Sequence, residues 1–204
     1  MAWAPPLPDG RQTAAIALGA NLGDPAATLA GVRQPLAALV QRTLPAPLTL
    51  RWSPLFRTAP VGGPANQPDY LNAVLLIEAA TAPVDPALQL AQAEALLADL
   101  LALEQRFGRV RGERWGPRCL DLDLLWWGDL RSAAATLQLP HPRLRERTFV
   151  LAPLATIDPA LVPPAGDRAL PGDALTVAAL LAALVPLRPE PAPVRLPPQP
   201  GWPE

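Results

Sequence analysis

The chain has 204 residues, of which half are hydrophobic and 17% are charged, and its formal net charge is −1 at pH 7. This length and composition predict a single domain with a sizeable core, and the near-neutral charge gives no overall attraction to a nucleic acid or a membrane. All 17 basic residues are arginine, which excludes a Walker A phosphate loop, a Schiff-base enzyme and a lysine general base.

Residues that commonly bind zinc are nearly absent. His141 is the sole histidine and Cys119 the sole cysteine, so a multi-histidine site, a cysteine-based zinc site and a disulfide framework within this chain are excluded. The N-terminus lacks a basic segment followed by an apolar run, and no stretch approaches the roughly 18 uninterrupted apolar residues of a membrane-spanning helix. We therefore expect a cytoplasmic chain without a membrane segment.

Strand and helix signals alternate along the chain. In chain order, the predicted strands cover residues 13–18, 48–57, 71–79 and 120–127. The predicted helices cover residues 25–41, 84–107, 149–156 and 175–184. The order β-α-β-β-α-β up to residue 127 predicts an α+β, ferredoxin-like fold, in which helices pack on one face of an antiparallel sheet. The other face is then open for a substrate.

Caps and breakers mark where these elements begin and end. Asp24 and Asp85 are predicted to cap the two long helices, and Gly108 to end the second. Pro35 is expected to kink or split the first helix. Pro54 predicts that the second strand lies at an edge of the sheet or contains a bulge.

Proline-rich segments flank the predicted domain. Residues 1–10 hold three prolines, and residues 186–204 alternate proline with side chains that have little to pack against. We interpret both segments as mobile or extended tails around a single domain over residues 11–185, with a docking motif as the alternative.

Two aspartates on the last predicted strand form the first candidate site. The apolar side chains of this strand are expected under the helices: Leu120, Leu122, Leu124 and Trp126. Asp121 and Asp123 then project from the open face, roughly 6.5–7 Å apart, where they can bind one divalent cation or bracket two. A solvated strand face is the alternative, although aspartate is disfavoured in strands.

Five arginines lie just upstream, within thirteen residues: Arg106, Arg109, Arg111, Arg114 and Arg118. Guanidinium groups match phosphate oxygens in two-pronged hydrogen bonds. Beside a carboxylate pair, these arginines predict a triphosphate site with a metal. A solubilising surface cluster is one alternative, and an RNA-binding stripe with Trp115 as a stacking platform is another, although the aspartates would repel an RNA backbone.

Three further segments carry candidate residues. Tyr70 and Asn72 share one face of a strand, where an aromatic ring beside an amide suits a flat heterocycle. The turn over residues 18–24 is interpreted as a tight strand-to-helix connection rather than a phosphate loop. His141, in a proline-flanked turn, is expected to orient or contact a phosphate rather than act as a general base.

Six segments, in order and over about residues 14 to 160, together resemble the 6-hydroxymethyl-7,8-dihydropterin pyrophosphokinase family of the folate pathway. They are GANLGD, FRTAPVG, NQPDYLNAV, the E-x₃-G-R-V-R run that begins at Glu104, RWGPRCLDLDLL and PHPRLRERTFVLAPL. The resemblance implies transfer of the β,γ-pyrophosphoryl group of ATP to the pterin hydroxymethyl group, giving AMP. It assigns no role to Thr136 and Gln138.

The resemblance also implies roles for individual residues. The implied catalytic residues are Arg109, Arg118, Asp121 and Asp123, and the two aspartates would hold two Mg²⁺ ions. The implied pterin-binding residues are Thr58, Tyr70, Asn72, Trp115 and Phe149. The implied nucleotide-binding residues are Glu104, Arg109, Arg111, Arg118, His141 and Arg147. ATP and the pterin would be the partners of a monomer that binds neither nucleic acid nor membrane.

Two other functions remain open on the sequence. Another two-metal nucleotidyl or phosphoryl transferase on a ferredoxin-like sheet would explain the aspartates and arginines, but not Tyr70, Asn72 and Phe149 together. A non-enzymatic RNA- or protein-binding domain would have no need of paired aspartates.

Overall fold

The computed structural model describes residues 11–44, 47–80, 85–109, 115–164 and 175–203. Within these residues the strands are β1 (Arg11–Ala20), β2 (Leu48–Trp52), β3 (Phe56–Thr58), β4 (Tyr70–Ala80), β5 (Asp121–Trp127), β6 (Ser132–Ala133), β7 (Gln138–Leu139) and β8 (Val194–Arg195). The α-helices are α1 (Pro25–Thr43), α2 (Pro86–Arg106), α3 (Thr148–Ile157) and α4 (Val177–Leu184).

The main sheet is antiparallel and has the strand order β5-β1-β4-β3-β8, with β2 also pairing with β4. Strands β1 and β4 form its centre and pair along their full lengths, from Arg11 opposite Ala80 to Ala20 opposite Leu71. A separate two-stranded sheet joins β6 and β7. The predicted α+β, ferredoxin-like architecture is confirmed.

The two long helices begin at the predicted aspartates. An Asp24 carboxylate oxygen accepts the Ala27 N–H at 3.0 Å, and an Asp85 carboxylate oxygen accepts the Ala87 N–H at 2.9 Å. The expectation that Pro35 splits the first helix is wrong, because α1 runs through it. Val32 and Leu36, on either side of the proline, are fully buried, and this packing opposes the roughly 3 kcal/mol cost of an interior proline.

The segment over residues 48–57 forms two strands rather than one. Strands β2 and β3 are separated by Ser53, Pro54 and Leu55. Pro54 has no N–H to donate to a neighbouring strand. Ser53 keeps the segment on the sheet, since its N–H donates to the Val74 carbonyl at 2.9 Å and its hydroxyl accepts the Val74 N–H at 3.0 Å.

Apolar side chains are buried on both faces of the sheet. Helices α1 and α2 cover one face, where Ile16 and Leu75 are fully buried. Helices α3 and α4 cover part of the opposite face, where Val74 and Leu76 are buried with Leu151. The uncovered part of this second face is where β1 ends and β5 begins.

A bulge changes the predicted facing of β5. The register between β1 and β5 shifts between Ala15 and Ile16. Leu122 and Leu124 therefore pack under α1 and α2 as expected, but Trp126 points to the other face. The prediction for Trp126 is wrong because an extra residue in one strand reverses the alternation beyond it.

Two further findings concern the C-terminal segment and α2. Residues 194–203 are not a loose tail: β8 pairs with β3, and the Trp202 side chain is only 7% exposed. By length and composition alone, α2 could cross a membrane, although no membrane segment was expected. In the structure its buried side, which includes Leu96 and Leu100, packs into the core.

Candidate active site

A cleft lies on the second face of the sheet, where β1 ends and β4 and β5 begin. It brings together nine of the residues singled out in the sequence: Thr58, Tyr70, Asn72, Trp115, Arg118, Asp121, Asp123, Arg147 and Phe149. They come from segments far apart in the chain, so only the folded sheet makes them neighbours. Arg109 joins the group by contacting Asp121, and Arg111 lies outside the described residues.

Three arginines pair with the two aspartates of β5. One oxygen of Asp121 is 2.8 Å from Arg118 Nη1 and 2.9 Å from Arg109 Nη1. Asp123 Oδ2 is 2.8 Å from Arg147 Nη1. Burial, and next the negative charge of Asp123, raise the pKa of Asp121 above its ordinary value, against the lowering effect of the two guanidinium groups. The two carboxylates thus repel each other, and a bound cation would reduce this repulsion.

The donor set of this pair suits a hard cation. Within the described part of the chain, no group of three or more His, Cys, Asp or Glu side chains could enclose a metal ion. Mg²⁺ does not need such a cage, because it binds one or two carboxylates and completes its octahedral shell with water and phosphate oxygens. The oxygens of Asp121 and Asp123, open to the cleft, fit that requirement.

Glu104 lies beneath the cleft rather than in its lining. Glu104 is on the last turn of α2 and is only 1% exposed. Its carboxylate accepts the Leu122 N–H at 2.7 Å and pairs with Arg109. Burial raises the pKa of Glu104 to about 7, although the Leu122 N–H and the Arg109 charge lower it. Glu104 therefore ties β5 and Arg109 to the end of α2.

The other half of the cleft combines aromatic rings with an amide. The Asn72 side-chain N–H donates to the Thr58 hydroxyl at 2.7 Å, and the Tyr70 hydroxyl donates to the Gly116 carbonyl at 3.1 Å. Gly19 lies opposite Asn72, and a Cβ at Gly19 would be 2.9 Å from Asn72 Oδ1. Only glycine leaves this amide undisturbed. Phe149 stands at the cleft edge, with the Arg147 guanidinium 5.3 Å from its ring centre.

Trp115 covers the cleft from the loop before β5. Its side chain is 45% exposed, and the Arg143 guanidinium lies 5.8 Å from the ring centre. A Cβ at Gly62 would approach the Trp115 ring to 3.2 Å, and the Gln67 amide donates to the Trp115 carbonyl at 3.1 Å. The loop over residues 62–67 thus provides a surface on which Trp115 rests.

His141 is close enough to Arg147 and Asp123 for both charges to affect its pKa. Its backbone N–H donates to the Leu125 carbonyl at 2.7 Å, and its ring Nδ1 accepts the backbone N–H of Arg143 at 3.1 Å. With Nδ1 acting as acceptor, the proton of a neutral ring is on Nε2. Burial, and next the positive charge of Arg147, lower the pKa of His141, which favours the neutral ring.

The site also uses residues that the sequence analysis did not single out, among them Gly19 and Arg143 in the cleft lining and Asn21, which binds Arg118. Asn21 is 3% exposed; its oxygen accepts the Arg118 N–H at 2.8 Å, and its amide donates to the Pro68 carbonyl at 3.1 Å. It joins three loops that were far apart in the sequence. The turn over residues 18–24 connects β1 to α1 and caps the helix, as expected. The presence of an asparagine in such a turn was the one feature of the sequence that could have indicated that its side chain links loops.

Comparisons with known proteins agree on one family. Residues 15–159 match the family model of 7,8-dihydro-6-hydroxymethylpterin-pyrophosphokinase (HPPK). The chain is 38% identical over 158 residues to 2-amino-4-hydroxy-6-hydroxymethyldihydropteridine pyrophosphokinase of Synechocystis sp., covering 77% of this chain and 72% of the relative. It is 39% identical over 158 residues to the protein of that name from Pseudomonas aeruginosa, and the match covers 76% of this chain and 86% of the relative.

The same protein from Methylorubrum extorquens is 40% identical over 147 residues, which cover 72% of this chain and 83% of the relative. Among solved structures, a Plasmodium falciparum HPPK-DHPS triple mutant is similar with a TM-score of 0.48 and 11% identity, over 86% of this chain and 44% of that one.

Proposed function

The chain belongs to the 7,8-dihydro-6-hydroxymethylpterin-pyrophosphokinase family, and we propose that the cleft between β1, β4 and β5 is where it performs the family's reaction. It is an ATP-dependent diphosphokinase of folate biosynthesis, which transfers pyrophosphate to the hydroxymethyl group of 6-hydroxymethyl-7,8-dihydropterin. One observation supports this location. One half of the cleft holds Asp121 and Asp123 with arginines, and the other half holds Asn72 with aromatic rings.

The acidic half of the cleft takes the triphosphate of ATP. Arg109, Arg118 and Arg147 present guanidinium groups, which form strong hydrogen bonds with phosphate oxygens. Asp121 and Asp123 would hold two Mg²⁺ ions, which when bound neutralise charge on the phosphates. Transfer of this kind depends on positioning and charge neutralisation and requires no covalent nucleophile.

The other half of the cleft takes the pterin. Its flat ring lies between Tyr70 and Phe149, which offer aromatic faces for stacking. The Asn72 amide, oriented by Thr58, offers its oxygen to an N–H at the ring edge. Trp115 covers the bound substrates and excludes water from the transfer.

Glu104 and His141 have different roles on the nucleotide side. Glu104 is buried, so it acts on the nucleotide through Arg109 rather than by contact. His141 offers its Nε2 proton to a phosphate oxygen, because its Nδ1 is already engaged by the Arg143 N–H. A phosphate contact for Arg111 stays a prediction, as do a monomeric state, a cytoplasmic location and the absence of nucleic-acid and membrane partners.

Calorimetric titration with a non-hydrolysable ATP analogue, with and without Mg²⁺, tests the metal assignment. Wild type is expected to bind the analogue more tightly with Mg²⁺, and Asp123→Ala to lose that gain. Asp129→Ala, which removes an exposed aspartate just after β5, is the matched control and should behave as wild type. A full Mg²⁺-dependent gain in Asp123→Ala would contradict the assignment.

A further inference from the structure

The C-terminal segment over residues 194–203, here called the strap, lies beyond residues 15–159 that match the family. Its strand β8 pairs antiparallel with β3, with Arg195 opposite Phe56 and Val194 opposite Arg57. The Leu196 N–H extends this pairing by donating to the Leu55 carbonyl at 2.8 Å. In the described structure, β3 is therefore held between β4 and the strap.

Trp202 anchors the end of the strap in the core. Its side chain is 7% exposed, and its indole N–H donates to the Ser53 carbonyl at 2.8 Å. Its ring meets that of Trp52 edge to face, with centres 5.4 Å apart and planes at 83°. A buried indole with its N–H satisfied and an aromatic neighbour is a specific anchor rather than incidental contact.

Helix α1 holds the same end from the other side. Arg33 donates to the Gly201 carbonyl at 3.0 Å, and its guanidinium lies 5.7 Å from the Trp52 ring centre. Gly201 has a φ of +74°, and a Cβ there would be 3.3 Å from Ala30. The chain thus approaches α1 closely at a position that favours glycine.

The segment that the strap contacts leads directly into the cleft. The Ser53 carbonyl binds Trp202, while the Ser53 N–H and hydroxyl bind Val74 of β4. Five residues later, Thr58 ends β3 and accepts the hydrogen bond that orients Asn72. Residues 59–61 then continue along the cleft wall. A shift of β3 would therefore move Thr58 and the cleft wall together.

We propose that the strap is a positioning element for the pterin side of the cleft, with Trp202 as its anchor; this rests on the proposed function of the cleft. Strand β3 has only three residues, and so short a strand has few hydrogen bonds of its own to fix it. The strap gives it a second partner and seals an edge that would otherwise be unpaired. The acidic half of the cleft, on β5 at the far side of the sheet, has no contact with the strap in the pairing of the described strands.

Steady-state kinetics of full-length Trp202→Ala test this role. Loss of the anchor should raise KM for the pterin about tenfold, because small misplacements at a binding site cost this much or more, and leave KM for ATP within about twofold. Trp202→Phe keeps the ring contact but loses the N–H donor, and should raise the pterin KM about threefold. If Trp202→Ala does not fold, Arg33→Ala tests the same anchor from α1 and should also raise only the pterin KM.

Leu100→Ala is the matched control for lost stability. Leu100 is fully buried on α2, which packs against α1 and β5 rather than β3, so the KM for the pterin should stay as in wild type. Hydrogen exchange gives a readout independent of turnover: amides over residues 53–61 should exchange faster in Trp202→Ala and not in Leu100→Ala.

The proposal is overturned if the folded anchor variants keep the wild-type pterin KM, or if the KM values for both substrates rise equally. Inactive wild-type protein would instead contradict the function of the cleft. In that case, faster exchange over residues 53–61 in Trp202→Ala would still show that the strap positions β3, and unchanged exchange would refute the strap's role.

Discussion

Glu104 should make the stability of the fold depend on pH in a specific way. Its carboxyl group is 1% exposed at the end of α2, and burial raises its pKa from 4.5 to about 7. One pH unit of change in a pKa is worth about 1.4 kcal/mol, so the rise corresponds to about 3 kcal/mol. This is a large fraction of the roughly 5–15 kcal/mol that stabilises a typical domain.

The direction of this pH dependence follows from whether Glu104 ionises first in the folded or in the unfolded chain. Below pH 4.5, Glu104 is protonated in both the folded and the unfolded chain, and its contribution to stability is fully present. As the pH rises towards 7, the unfolded chain ionises while the folded chain resists. The free energy of unfolding therefore falls across this window, by about 3 kcal/mol from this group, and levels off above pH 7.

Glu104→Gln removes the titration but keeps the side-chain volume and an oxygen that can accept the Leu122 N–H. We expect the variant to gain stability relative to wild type as the pH rises from 4.5 to 8, by up to about 3 kcal/mol. Urea unfolding of the metal-free protein, followed by tryptophan fluorescence at each pH, measures this. Taking the difference between the two proteins at each pH cancels the contributions of other titrating groups.

The same measurement on Glu94→Gln, an exposed glutamate of the same helix, controls for loss of a carboxylate from α2. A constant difference between Glu104→Gln and wild type from pH 4.5 to 8 would refute the reasoning, because it would mean that burial does not hold the proton on this group.

Three other substitutions follow from the site. Gly19→Ala should raise KM for the pterin about tenfold or more with little effect on ATP binding, since the added Cβ would be 2.9 Å from Asn72 Oδ1; an unchanged pterin KM would be inconsistent with this contact. Asn21→Ala should lower the free energy of unfolding by about 1–3 kcal/mol, measured by urea unfolding, because it leaves the Arg118 N–H and the Pro68 carbonyl without partners; no loss would mean that water replaces the amide. Asp123→Ala should lower turnover about a thousandfold or more while circular dichroism shows an intact fold, and wild-type-like turnover would remove Asp123 from the metal site.

Local patterns were enough to predict most of the elements. Aspartates followed by proline marked the starts of α1 and α2, because an N-cap and the residue after it act within one turn of chain. The two-residue period of a strand placed Asp121 and Asp123 on one side of β5, and both line the cleft. Such features depend on residues that are close in the sequence, so they can be predicted from the sequence alone.

Features that depend on distant partners could not be predicted in this way. Trp126 faces the side of the sheet that α3 and α4 cover, because the register between β5 and β1 shifts. The residue pattern of β5 alone does not indicate this shift. Glu104 is buried because the end of α2 docks on the Leu122 backbone. The sequence of the strap predicts a tail because its prolines obscure any strand period, and the pocket for Trp202 is built by residues around Ser53.

The most direct test of the central claim is analysis of the nucleotide product. Purified protein is incubated with ATP, Mg²⁺ and 6-hydroxymethyl-7,8-dihydropterin, beside controls that lack the pterin or the metal. We predict AMP that forms only when both are present, in step with the pterin pyrophosphate. Formation of ADP, or of no nucleotide product by a protein that still binds ATP, would contradict the account.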